Sequence, residues 1–193
     1  MQNRGVRLVA SLLVLTACNS GSEPVAPEIS LNQGNGVEIH AQGAGFVDLT
    51  SAGAGLAKFQ FVAHRKANGS VEGHFYQSRS TAAGTVDFAG VVTCLTTDQA
   101  FPGRARIGGV VTENNSTNPG VLTENHEVGD DVWFRVQDGS VAADGLDRST
   151  TYGFKPTLVE TSEQYCALAF DGLPQWNPAS IFPLSSGTIR VKQ

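Results

Sequence analysis

Two histidines and a glutamate lie on either side of a turn signal. His64 precedes Asn68-Gly69, while Glu72 and His74 follow it. If strands joined by a three-residue loop flank this turn, His64 lies opposite Glu72 and His74 is its diagonal neighbour. Two imidazoles and a carboxylate could bind a transition metal. The alternative is a solvated polar face with ordinary cross-strand pairs.

An aspartate-rich stretch later in the chain suggests a second kind of site. Asp138, Asp144 and Asp147 supply carboxylate oxygens of the kind that Ca²⁺ prefers. Their spacing does not match an EF-hand loop. Asp is also common in turns, where its carboxylate binds local backbone groups. Calcium is therefore the one ion that we carry forward as a candidate cofactor, with turn formation as the alternative.

Trp133 is the best candidate for stacking on a sugar or a partner. In the segment 131–137, Val132, Phe134 and Val136 share one face, and Trp133 points to the other. The indole either lies exposed on that face or packs beneath a loop or a second sheet.

Local signatures of catalysis are absent from the sequence. It contains no Gly-x-Ser-x-Gly elbow, no His-Glu-x-x-His, no phosphate-binding glycine loop and no Ser-x-x-Lys. Glycoside hydrolases often lack such motifs, so their absence does not by itself exclude an enzyme. We expect a protein without catalytic residues.

The first 17 residues have the pattern of a lipoprotein signal peptide. Arg4 and Arg7 precede a short apolar run, and Leu15-Thr16-Ala17-Cys18 resembles a bacterial lipobox. An ordinary signal peptide with a coincidental cysteine is the alternative. The pattern predicts that Cys18 is diacylated and anchors the protein in the cell envelope, at the outer membrane if the source has two membranes.

Removal of the signal also changes the charge. The full chain carries −5, and loss of Arg4 and Arg7 makes the mature chain −7. Such a chain is repelled by phosphate backbones and anionic lipids, so we expect no nucleic-acid partner and membrane attachment through the lipid alone. Residues 18–36, rich in small and polar residues and prolines, are typical of a flexible linker.

The two remaining cysteines are expected in an oxidising compartment. Cys94 shares strand parity with Val92 and Phe88, and Cys166 lies in a predicted strand, Tyr165 to Phe170, so both thiols are expected to face a core. They form either a disulfide, closing a loop of about 70 residues, or two separate buried thiols. We favour the disulfide.

From residue 37 onward the sequence reads as short strands separated by glycine-rich turns. The pattern predicts an all-β domain over residues 37–193, a single β-sandwich or flattened barrel of about eight to ten mainly antiparallel strands. At its centre are two strands, residues 85–95 and 104–112, with a bulge at Gly90 or at Gly108-Gly109. Other predicted strands are 37–41, 46–49, 121–123 and 187–192.

The hairpin around Asn68-Gly69 has a register that can be argued. A two-residue turn would pair Phe61 with Tyr76, whereas the three-residue loop 67–69 pairs Phe61 with Phe75. Only the second arrangement collects apolar residues on one face and places Gly69 at the left-handed position that closes such loops. The expected core residues are Phe59, Phe61, Ala63, Val71, Gly73 and Phe75.

A resemblance supports the same fold. Val92-Thr93-Cys94-Leu95, Ile107-Gly108-Gly109, the aspartate-rich loop and a final Ser186-Gly187-Thr188-Ile189-Arg190-Val191 strand occur in this order. In this the chain resembles a group of uncharacterised bacterial secreted β-domains, including lipoproteins. The resemblance implies a sandwich-like secreted domain and brings no activity with it.

Two classes of function remain open at this point. The first is a structural or interaction lipoprotein displayed on the cell envelope. The second is a ligand-binding module for carbohydrate or calcium on the same scaffold. An exposed, coplanar aromatic pair near Trp133 would favour the second, and a flat polar surface without a pocket would favour the first.

Overall fold

The computed structural model describes residues 37–52, 54–123, 126–152, 159–168 and 181–193. The predicted signal peptide 1–17, the lipidation site Cys18 and the linker 18–36 lie outside the described residues. The described residues therefore all belong to the domain predicted over residues 37–193.

The described residues form eight antiparallel strands that close into one barrel. Each strand pairs with the next along the chain, and the last pairs with the first. The strands are β1 (Val37–Asp48), β2 (Leu56–Lys66), β3 (Val71–Thr81), β4 (Gly84–Thr97), β5 (Arg104–Asn114), β6 (Asp131–Gln137), β7 (Arg148–Ser149) and β8 (Phe182–Lys192). The predicted all-β class is confirmed, with the barrel as the architecture.

Apolar side chains from alternating strand positions fill the inside of the barrel. Phe59, Phe61, Phe75 and Phe134 are almost completely buried there. The rings of Phe61 and Phe134 meet edge to face with centroids 5.4 Å apart, and Tyr152 stacks on Phe134 at 3.8 Å. An eight-stranded barrel is just wide enough for such side chains to fill. The interior is thus the hydrophobic core, and each fully buried Phe contributes about 1.5–3 kcal/mol.

The hairpin between β2 and β3 has the predicted register. Phe61 lies opposite Phe75, and Arg65 lies opposite Val71. Gly69 has φ +84°, the left-handed conformation that the three-residue loop requires. The prediction from turn chemistry and side-chain alternation is confirmed.

The pairing of β4 with β5 is irregular at two points. The register shifts between Ala89 and Gly90 and again between Val92 and Cys94, which pair with Gly109 and Gly108, so a shift occurs at each of the two positions where a bulge was predicted. Because the second shift inserts one residue, Val92 and Leu95 both belong to the barrel core while Cys94 faces outward. The predicted inward orientation of Cys94 is therefore wrong.

The disulfide forms on the outside of the barrel. Cys94 and Cys166 are joined with S–S 2.05 Å and Cα–Cα 6.1 Å, which confirms the predicted bond. Cys166 lies in the helix α2 (Ser162–Ala167) rather than in the predicted strand. Thr161 begins this helix, since its side chain accepts the N–H of Gln164.

A small second core lies between α2 and the barrel wall. Trp133, Val159 and Tyr165 form it, and the rings of Trp133 and Tyr165 stack with centroids 5.6 Å apart. Gly108 permits this close approach, because a Cβ there would stand 2.6 Å from both the Cys94 Sγ and the Ser162 Cβ. The Ile-Gly-Gly strand is thus the surface on which α2 lies.

Two further predictions about elements are wrong. The segments 37–41 and 46–49, predicted as separate strands, belong to or adjoin one strand, β1, whose glycines stay in register with β2 and β8. Residues 121–123, predicted as a strand, end the helix α1 (Pro119–Thr123). The strand predicted at 187–192 is the second half of β8.

Candidate functional site

Two of the predicted calcium ligands fasten the loop 138–147 to β8. The Asp138 Oδ2 accepts the Val191 N–H at 3.2 Å, and the Asp147 Oδ2 accepts the Ile189 N–H at 2.8 Å. Because β7 contains only two residues, it pairs with β8 only at the start of that strand. A longer β7 would offer its backbone carbonyls to the N–H groups further along β8. In their place, the carboxylates of Asp138 and Asp147 accept these N–H groups.

The remaining oxygens of these carboxylates bind the loop itself. Asp138 Oδ1 accepts the Ser140 N–H at 2.8 Å, and Asp147 Oδ1 accepts the Gly139 N–H. Burial raises the pKa of Asp138, but hydrogen bonds from Ser140 and Val191 and the charge of Arg190 outweigh it, so its pKa lies below the ordinary value. The carboxylate is kept charged by the backbone that it binds.

Asp144 stands apart from the other two aspartates. It is exposed and forms an ion pair with Arg148, whose hydrogen bond lowers the pKa of Asp144 to about 2. Asp138, Asp144 and Asp147 thus point at different donors. In the part of the chain that the structure describes, no three His, Cys, Asp or Glu side chains come together as a metal site. Of the two explanations for these aspartates, calcium binding and turn formation, the hydrogen bonds support turn formation.

The three residues predicted as a transition-metal site are also separated by their contacts. His64 lies opposite Glu72, as the register predicted, but the Glu72 carboxylate is 2.6 Å from the Lys66 Nζ. His74 is exposed on the outer wall. The ring of His64 instead stacks on His40 of β1, with centroids 4.3 Å apart. The three side chains do not form one cluster. His40, whose ring stacks on His64, was not among the predicted ligands.

Trp133 is not available for stacking on a ligand. Only 2% of its surface is exposed, because Tyr165 and Val159 cover it. Of the two alternatives that the sequence left open, packing beneath a covering segment is the one observed.

A groove of about 460 Å³ opens at the end of the barrel where β5 begins and β6 ends. Its described lining residues are Ala100, Phe101, Pro102, Arg104, Gln137, Val141, Ala142 and Ala143. Phe101 and Val141 stand out among them, since each leaves more than half of its surface exposed, 55% and 54%. Large apolar side chains exposed together usually mark an interaction site.

Polar groups stand beside the exposed aromatic ring. The guanidinium of Arg104 lies 4.4 Å from the centroid of the Phe101 ring, and its Nε donates to the Gln137 Oε1 at 3.3 Å. Burial lowers the pKa of Arg104, and Asp98 opposes this effect. An arginine remains charged after such a shift, so the groove combines an apolar floor with one cation and one amide.

The two loops that form the groove are held in place. The buried Asp98 accepts the N–H groups of Ala100 and Phe101 at 2.9 and 3.2 Å. The Asp138 N–H donates to the Gly103 carbonyl at 2.8 Å, which joins one loop to the other. Phe101 is therefore presented by a fixed backbone.

Sequence reasoning missed this groove. The segment 96–103 was predicted only as a polar break, although it contains Phe101, an aromatic residue without a strand to belong to. A lone aromatic residue in a turn bounded by Asp98 and Gly103 is a signal that could have been used. The facing side of the groove, Val141 to Ala143, comes from a loop that is distant in sequence.

No family model, curated protein or solved structure matches this chain. The resemblance to secreted β-domains therefore stays a prediction. Among the described residues, no helix is long and apolar enough to cross a bilayer.

Proposed function

We propose that this chain is a lipid-anchored protein of the bacterial cell envelope, at the outer membrane where the cell has two membranes, and that its barrel binds a protein partner through the groove at Phe101 and Val141. The lipobox ending at Cys18 supports the anchor. The filled interior supports a role at the barrel surface, because the core is occupied by the protein's own aromatic side chains.

The observation that carries the proposal is the exposure of Phe101 and Val141 on a fixed scaffold. Phe101 and Val141 each leave about half of their surface in water, so each forgoes roughly half of the about 1.5–3 kcal/mol that full burial contributes. Phe101 and Val141 line the same concave surface. Hydrogen bonds to Asp98 and Asp138 hold the loops that carry them. Preorganised apolar anchors of this kind lower the entropy lost on binding.

The chemistry of the groove favours binding over catalysis. Its described lining residues include no carboxyl, hydroxyl, thiol or imidazole group. The nearby carboxylates of Asp98, Asp138 and Asp147 accept backbone N–H groups. General acid–base or nucleophilic chemistry needs such groups free to reach a substrate, so the proposed role is non-catalytic.

Carbohydrate is the second candidate ligand, and one observation favours it. Phe101 offers an aromatic ring beside the Arg104 guanidinium and the Gln137 amide. An aromatic face next to a few converging polar groups is a common arrangement in pockets for small polar ligands. Purified protein that binds envelope oligosaccharides, and loses them on Phe101→Ala, would favour this candidate over a protein partner.

Electrophoresis of detergent extracts under native conditions tests the proposal. Wild-type protein should migrate as a complex larger than the monomer, and Phe101→Asp or Val141→Asp should release the monomer. Val128→Asp is the matched control, because Val128 is 67% exposed on the loop that joins the other ends of β5 and β6. Identical migration of wild type and both groove variants would refute the proposal.

A further inference from the structure

His40 and His64 form a pair on the outer wall of the barrel. They lie directly opposite each other in the register of β1 and β2. Directly opposed residues on neighbouring antiparallel strands have Cβ atoms about 4.5–5.5 Å apart. The two rings stack with centroids 4.3 Å apart and an interplanar angle of 30°. The backbone thus places the two imidazoles side by side on neighbouring strands.

Each ring has one nitrogen that is not used by the fold. The His40 Nε2 and the His64 Nδ1 are buried and have no hydrogen-bond partner among the described residues.

The charges around the pair are mixed. Lys192 of β8 lies opposite His40, and Glu72 of β3 lies opposite His64 and binds Lys66. Lys192 opposes a dication, but its exposed ammonium can turn away into solvent.

We propose that His40 and His64 bind one divalent transition-metal ion, with Cu²⁺ preferred over Ni²⁺ and Zn²⁺ and with water completing the coordination. Imidazole nitrogens suit these ions, and the preference follows the usual order of divalent affinities. The site differs from the trio predicted from the sequence, because it uses His40 across β1 and β2 and leaves Glu72 and His74 out.

Titration of the tag-free, detergent-solubilised full chain with CuCl₂ tests this site. We expect Cu²⁺ to raise the melting temperature, EDTA to reverse the rise, and the electron paramagnetic resonance spectrum to show coupling to two nitrogens. His40→Gln and His64→Gln should each weaken binding by about 10-fold or more. His74→Gln is the matched control on the same barrel wall and should bind as the wild type does.

The possible failures are distinguishable. If both paired variants bind Cu²⁺ as tightly as the wild type, or if His74→Gln abolishes binding, the proposal is wrong. Circular dichroism without metal shows whether each variant keeps its strand content, so loss of folding is not mistaken for loss of the site. None of His40, His64 and His74 lines the groove, so loss of Cu²⁺ binding in these variants is a separate result from loss of partner binding in the Phe101 and Val141 variants.

Discussion

Asp138 shows how one side chain decides between two interpretations of the same residues. Its carboxylate is buried and accepts N–H groups from Ser140 and Val191, so it closes the barrel edge. The sequence shows an aspartate in a turn-rich segment, which both calcium and turn formation explain. Only the three-dimensional position of β8 identifies the donors.

Asp138→Asn should therefore lower stability by about 1–3 kcal/mol, because an amide N–H₂ would face a backbone donor. The lowered pKa of Asp138 also predicts a pH dependence. Its stabilisation is complete above the unfolded value of about 3.9 and is lost as the pH falls through the lower folded value. Urea titrations between pH 2 and 7 should show a flatter acid limb for Asp138→Asn.

Asp144→Asn is the control for this experiment. Asp144 is exposed and pairs with Arg148 at the surface, so its substitution should change stability at neutral pH far less than Asp138→Asn does. Equal effects of the two substitutions would mean that the Asp138 contacts with β8 do not contribute to stability.

A substitution at Phe61 tests how much a single buried ring contributes to the stability of the barrel core. Its ring is fully buried against Phe134 and Phe59, so Phe61→Ala should cost about 3–5 kcal/mol. His74→Ala, on the exposed face of the same hairpin, should cost well under 1 kcal/mol. Chemical denaturation of both variants measures the difference. A small effect of Phe61→Ala beside a large effect of His74→Ala would contradict the register of β2 and β3.

At the scale of elements, the strands with regular alternation could be predicted and the irregular ones could not. The β2–β3 hairpin follows from its turn residues and its period of two. The outward turn of Cys94 depends on a one-residue bulge opposite Gly108 and Gly109. The glycine pair indicated a bulge in the sequence, but it did not show that the extra residue belongs to β4. The helix α2 has only six residues, too few for a helical period to appear in the sequence.

The disulfide should hold α2 over Trp133. Cys94 and Cys166 are 72 residues apart, and a loop of that length contributes about 4 kcal/mol on the chain-entropy model. Cys94→Ser with Cys166→Ser should lower the melting temperature. It should also shift Trp133 fluorescence to longer wavelength as the indole meets water, measured in a Trp176→Phe background.

The same background with both cysteines intact is the control. If the double variant keeps an unshifted spectrum and the same melting temperature, packing alone holds α2 in place, and the disulfide is not what covers Trp133.

At the scale of the whole molecule, the sequence indicated the all-β barrel, and it predicts a lipid anchor, but it did not indicate the groove. The lipobox is a contiguous pattern, and alternation predicts an all-β domain. The groove unites residues 100–104 with residues 137–143, which meet only because β5 and β6 are neighbours. Its apolar residues lie in loops, where no period identifies them.

The anchor has its own prediction. Wild-type protein should partition into detergent through a lipid on Cys18, and Cys18→Ala should stay in the aqueous phase. Phase separation in Triton X-114 with intact-mass measurement makes the comparison. A Cys18→Ala protein that still enters the detergent phase would contradict lipid anchoring, and Cys94→Ser with Cys166→Ser is the control for general loss of cysteine.

The most direct test of the account is photo-crosslinking in the living cell, with p-benzoylphenylalanine in place of Phe101 and, separately, of Val128. Both positions are exposed, 55% and 67%, but only Phe101 lies in the groove. We expect light to produce a discrete, heavier adduct with the probe at position 101 and not with the probe at position 128. Crosslinking that is absent at position 101, or equal at both positions, would contradict the assignment of the groove as the partner-binding site.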